Sequence, residues 1–98
     1  MKVNWTQKGR QRLQQLYNYI ADDQPANALK FIDQLTRCAE SLAAHPRSGK
    51  IVSKYQRDDI REVYAGRYRI IYRILPDRID ILTVRHSGRL LPGKLSTL

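Results

Sequence analysis

Three side chains in the second half of the chain carry groups that move protons and hold phosphate: the Glu62 carboxylate, the Arg69 guanidinium and the His86 imidazole. A carboxylate takes a proton, a guanidinium holds phosphate and an imidazole gives a proton back. Such a trio could cleave RNA by activating the 2′-hydroxyl without a metal. A plainer reading fits the same residues. If they sit on neighbouring antiparallel strands, Glu62 with Arg69 and Arg73 with Asp80 are cross-strand ion pairs, each worth at most about 1 kcal/mol when exposed. Spacing alone favours the ion pairs and leaves the acid-base reading open.

Other chemistries find less support. Two histidines, His45 and His86, and the single Cys38 do not supply a three- or four-ligand set, so neither metal nor cofactor is expected. Ser87 follows His86 directly, and adjacent residues of a strand point to opposite faces. Cys38 falls on an apolar helical stripe, so no activated nucleophile emerges. Nucleic-acid readers need exposed rings for stacking. Only Tyr55 and Tyr64 are free to serve, since Tyr68 and Tyr72 fall on the core-facing positions of a strand.

These residues need a scaffold, and the periodicity supplies one. Val3 and Trp5 alternate with Lys2 and Asn4 in a short opening strand. Thr6 fits a helix N-cap. Leu13, Leu16, Tyr17, Ile20 and Ala21 follow at helical spacing. Asp22-Asp23-Gln24-Pro25 offers a carboxylate cap and a first-turn proline for a second helix. That helix has Ala28, Phe31, Ile32, Leu35, Ala39 and Leu42 on one face, and His45-Pro46 and Gly49 stop it. The short connection makes an antiparallel hairpin. Residues 46–59 read as a mostly irregular link. Strands follow over 60–64, 68–75 and 78–86, joined at Ala65-Gly66-Arg67 and Pro76-Asp77. The fold class expected is α+β: an N-terminal strand and a helix hairpin packed on a small, mostly antiparallel sheet. Residues 1–86 form the domain, and 87–98 a tail whose leucines can dock.

A two-residue turn at Ala65-Gly66 puts Glu62 opposite Arg69 and Ile60 opposite Ile71. The turn at Pro76-Asp77 puts Arg73 opposite Asp80, Ile71 opposite Leu82 and Arg69 opposite Val84. One face then carries Glu62, Arg69, Arg73, Asp80 and His86. The other carries Val63, Tyr68, Ile70, Tyr72, Ile74, Ile79 and Ile81 and packs on the helices. A bulge at either turn shifts this register.

Eighteen Lys and Arg against nine Asp and Glu give 98 residues a net charge of +9. That charge attracts acidic partners. No apolar run approaches a membrane span and no leader-like h-region opens the chain. The lone cysteine requires no oxidising compartment, so a cytoplasmic protein is expected.

Several segments together resemble the RelE/ParE superfamily of bacterial toxins. They are Tyr19-Ile20-Ala21, Pro25-Ala26-Asn27-Ala28, Leu42 to Gly49 with its His-Pro and Ser-Gly, Tyr68-Arg69-Ile70-Ile71-Tyr72-Arg73, and Ile81-Leu82 to His86 with Arg89. The ParE branch is the nearer. In the RelE branch, a ribosome-dependent mRNA endonuclease, the sheet carries arginines with lysines or a Glu and His, and an aromatic residue near the C-terminus. Arg69 and Arg89 match. Ile60 and Glu62 stand near the lysine positions, and the tail has no Tyr or His. A nuclease built on Glu62, Arg69, His86 and Arg89 is therefore the alternative. Resemblance to ParE implies a DNA gyrase inhibitor that works by binding, with no reaction of its own. It also implies neutralisation by a cognate antitoxin, small, acidic and ParD-like or otherwise DNA-binding, in a hetero-oligomer or beside a homodimer. Arg69, Arg73, Arg85, His86 and Arg89 are the target-binding residues expected on that basis.

Overall fold

Thr6 ties the first helix to the sheet. Its hydroxyl accepts the Gly9 amide at 3.0 Å and donates to the Ile81 carbonyl at 2.8 Å. Gly9 is required by the same contact, because a Cβ there would lie 2.5 Å from the Ile81 oxygen. The computed structural model describes residues 1–98. Its elements run β1 (Lys2–Trp5), α1 (Gln7–Asp23), α2 (Pro25–Ser41), β2 (Lys50–Ile51), β3 (Ile60–Ala65), β4 (Tyr68–Ile74) and β5 (Arg78–His86), then a 3-10 turn (Leu95–Thr97). The sheet order is β1-β5-β4-β3-β2, with β1 parallel to β5 and the other pairs antiparallel. The expected α+β architecture is present. No helix is long and apolar enough to cross a membrane.

The cap of α2 differs from expectation. Asp22 and Asp23 remain inside α1, and Gln24 alone links the helices without a side-chain cap bond. Pro25 removes one of the amides a cap would have served.

The register differs at the first turn and again within the last strand pair. The first loop is Gly66-Arg67, so Glu62 faces Ile71, Tyr64 faces Arg69 and Ile60 faces Arg73. Gly66 holds φ +60° at the first loop position, where a type II′ turn requires it. The slip is two residues, and each side chain keeps its face.

The second difference changes faces. Arg73 lies opposite Asp80 as expected, but Tyr72 pairs Ile81 while Ile71 pairs Thr83. Leu82 is the extra residue of a β-bulge. Beyond it Arg69 faces Arg85 instead of Val84, and Tyr68 faces His86. Val84 and His86 therefore turn to the helix side, while Thr83 and Arg85 join Arg69 on the other.

The helix side holds the main core, Leu35, Ala39, Leu42, Ile70, Tyr72, Ile79, Ile81 and Val84, with Val63, Tyr68 and Ile74 packed against it. The second face is also covered. Val52 and Leu91 and Leu98 of the tail close over Ile60 and Ile71, flanked by Tyr55, Leu82 and Leu95. The link 46–59 is anchored by Tyr72, whose buried hydroxyl donates to the Pro46 carbonyl at 2.6 Å and accepts the Gly49 amide at 3.0 Å.

The expected Arg73–Asp80 ion pair is replaced by two others. Arg73 Nε binds Asp59 at 3.1 Å, while Asp80 accepts Arg78 Nε at 2.9 Å and Asn4 Nδ2 at 3.0 Å. The Arg57 guanidinium, then Arg73, hold the Asp59 carboxyl below its ordinary range. Burial opposes ionisation of Asp80, yet Arg78 and Asn4 outweigh it and hold its pKa down as well. Arg47, then Arg61, lower Asp58 in the same way. A carboxyl whose folded pKa is depressed contributes stability that is complete above its unfolded value and is lost as pH falls through the folded one. Thermal melting followed by circular dichroism should therefore show a constant midpoint down to about pH 4 and a fall below it. An unchanged midpoint at pH 2 would remove these pairs from the account.

Candidate functional site

Glu62 and Arg69 meet beneath the tail. Arg69 Nη1 lies 3.4 Å from Glu62 Oε1, and the side chains are only 12% and 6% exposed. Arg69 Nη2 donates to the Arg89 carbonyl at 2.5 Å, whereas the buried Arg69 Nε and Thr83 Oγ1 find no partner. Arg69 is thus an internal cation that joins the sheet to the tail.

His86 is elsewhere. The bulge turns its ring against Tyr68 on the helix side, with centroids 5.4 Å apart. Its Nδ1 accepts the Gly88 amide at 3.0 Å, which places the proton of the neutral ring on Nε2. Glu62, Arg69 and His86 therefore do not converge on one reacting atom.

What does converge is a basic groove of about 400 Å³ between α1 and the end of β5. Arg12, Gln15, Leu16 and Tyr19 form its helical wall; Tyr68, Val84, Arg85, His86 and Arg89 complete it. No carboxylate lines it. Burial lowers the Arg85 pKa, and Arg12, Arg89 and Arg69 lower it further by repulsion. Arg85 Nη1 donates to the Leu90 carbonyl at 2.6 Å. Tyr19 is 77% exposed at the rim.

Of the expected target-binding residues, Arg85, His86 and Arg89 gather here. Arg69 lies under the tail and Arg73 at the far end of β4, against Asp59. Arg12 was not among them, although Arg12, Gln15 and Tyr19 at steps of three and four on α1 are a legible polar stripe.

Other sites offer less. Burial pushes the Cys38 thiol up, the opposite of the shift that activates a nucleophile. No three His, Cys, Asp or Glu residues are placed to hold a metal. The two tyrosines expected to be free for stacking are engaged: Tyr55 donates to the Pro92 carbonyl at 2.8 Å, and the Lys50 ammonium stands 5.3 Å over the Tyr64 ring.

The model of the ParE toxin of type II toxin-antitoxin systems, parDE, matches residues 3–91. Toxin RelE3 of Caulobacter vibrioides is 31% identical over 80 residues, covering 82% of this chain and 87% of its own. The chromosomal ParDE toxin-antitoxin system from P. aeruginosa contains a chain with the same fold, at TM-score 0.73 and 19% identity, covering 88% of this chain and 95% of that one. The toxin-antitoxin complex RelBE2 from Mycobacterium tuberculosis includes a chain 27% identical at TM-score 0.54, over 87% of this chain and 95% of that one.

Proposed function

Because the chain belongs to the ParE toxin family of type II toxin-antitoxin systems, we propose that it acts as a ParE-like toxin, binding DNA gyrase and blocking replication without catalysing a reaction. The observation that carries this reading is the bulge at Leu82, which puts Glu62 and His86 on opposite sides of the sheet. Acid-base cleavage needs its donor and acceptor within reach of one phosphodiester. A binding toxin needs only a surface, and the groove of Arg12, Arg85 and Arg89 presents one, with Leu16, Tyr68 and Val84 as its apolar floor.

A cognate antitoxin is the second partner. Both solved neighbours come from toxin-antitoxin systems. The +9 charge favours an acidic antitoxin, whose carboxylates would speed encounter and whose apolar anchors would hold the complex. An extended segment could also pair with the sheet edge at β2.

Purified protein should inhibit gyrase supercoiling or stabilise gyrase-cleaved DNA, while leaving ribosome-bound mRNA intact. Codon-specific mRNA cleavage that disappears in His86→Ala would overturn this in favour of the nuclease alternative. His86 is the informative position because it is exposed and makes no ion pair.

A further inference from the structure

The tail is held almost entirely by side chains. The carbonyls of four successive residues each accept a different donor: Arg89 from Arg69, Leu90 from Arg85, Leu91 from Lys54 at 2.6 Å, and Pro92 from Tyr55. Lys8 adds a bond to the Thr97 carbonyl at 3.2 Å. The backbone amides beyond Ser87 bond locally, Arg89 to His86, Thr97 to Lys94 and Leu98 to Leu95, so no ladder joins residues 89–98 to the sheet. Such a segment can open without breaking a strand pair, at the cost of uncovering Leu91 and Leu98, and opening would expose Ile60, Ile71 and the Glu62–Arg69 pair.

Arg89 belongs to both structures. Its carbonyl is fixed to Arg69, and its residue walls the groove beside Arg12 and Arg85. Closing the tail therefore brings a third cation to a groove that holds no carboxylate. Repulsion among these arginines opposes closure, and a bound anion cancels it. The groove also has an apolar floor, Leu16, Tyr68 and Val84, which a bare inorganic ion leaves unfilled. A short peptide with a carboxylate next to an aliphatic side chain satisfies both parts.

We propose that the groove is a receptor for an acidic, apolar-anchored peptide segment, and that its occupancy clamps residues 89–98 over the second face of the sheet. The coupling is reciprocal: the closed tail strengthens peptide binding by the same factor by which the peptide strengthens closure. Arg85 and Arg89 are the mechanical link, since each is in the groove and in the latch. The proposal does not depend on gyrase being the target.

Hydrogen exchange over residues 87–98 of the full chain, followed with and without an eight-residue peptide of alternating glutamate and leucine, tests this. The peptide should slow exchange in the segment severalfold, whereas added chloride at matched ionic strength should not. Arg12→Gln touches no part of the latch. It should slow exchange about two- to fivefold without peptide, the range an exposed charge pair is worth, and should lose most of the peptide response. Lys54→Met releases the Leu91 carbonyl, which is not part of the groove lining, and should speed exchange while keeping that response. Peptide binding with unchanged exchange would break the linkage, and no measurable binding would remove the receptor. Equal slowing by inorganic phosphate would reduce the ligand to a simple anion. Indistinguishable behaviour of the two variants would make the tail ordinary packing.

Discussion

Leu35→Asp should abolish the cooperative thermal transition. Leu35 is fully buried between α2 and the sheet, among Ile70, Tyr72 and Ile79. The substitution forfeits about 2 kcal/mol of side-chain burial and places an unpaired carboxylate where ionisation costs several kcal/mol more. A domain of this size has about 5–10 kcal/mol in total, so most of the margin disappears. Lys30→Asp, on the exposed side of the same helix, should shift stability by no more than about 0.5 kcal/mol. Equal melting of the two variants would refute the assigned helix face.

Glu62→Ala should destabilise the domain by about 3 kcal/mol, because it leaves the Arg69 guanidinium buried without a counter-charge. Arg69 already has one orphaned nitrogen, and its only other partner is the Arg89 carbonyl. The double variant Glu62→Ala with Arg69→Ala should lose less than the sum of the single changes. Denaturant unfolding of all four proteins measures the coupling, and strict additivity would show that the pair contributes nothing. The consequence reaches the functional question. Loss of toxicity in a Glu62 variant is no sign of a catalytic carboxylate unless the protein is shown to remain folded.

Helical and strand periodicities were legible from the apolar residues alone. The stripe from Ala28 to Leu42 and the alternation from Tyr68 to Ile74 each specify a face, and the structure packs those faces together. The turn at Gly66-Arg67 was harder to place, because glycine serves either position of a two-residue loop and only the backbone φ decides. The bulge left no mark: Ile81-Leu82-Thr83-Val84 is β-favouring throughout, and an extra residue appears only when both faces must be filled at once. That residue decided the site, since it separated His86 from Glu62. The tail's role was half visible. Its leucines announced docking, but the latching donors, Lys54, Tyr55, Arg69 and Arg85, are dispersed over thirty-odd positions and only the folded chain collects them. Arg12 escapes the apolar periodicity of α1, which marks the core face of the helix, while the groove uses its flank.

The parallel pairing of β1 with β5 has a kinetic consequence. Asn4 must find Asp80, 76 residues away, before the edge of the sheet is complete. Closing so long a loop is entropically slow. The helix hairpin, by contrast, forms from neighbours. During synthesis the two helices leave the ribosome with Leu35, Ala39 and Leu42 still uncovered, and they wait for β5 to be made before the opening strand can settle beside it. For that interval the nascent chain exposes its stickiest surface and lacks a finished groove. Each molecule therefore passes through an aggregation-prone adolescence, whose length is set by the time needed to translate from Ser41 to Ile81.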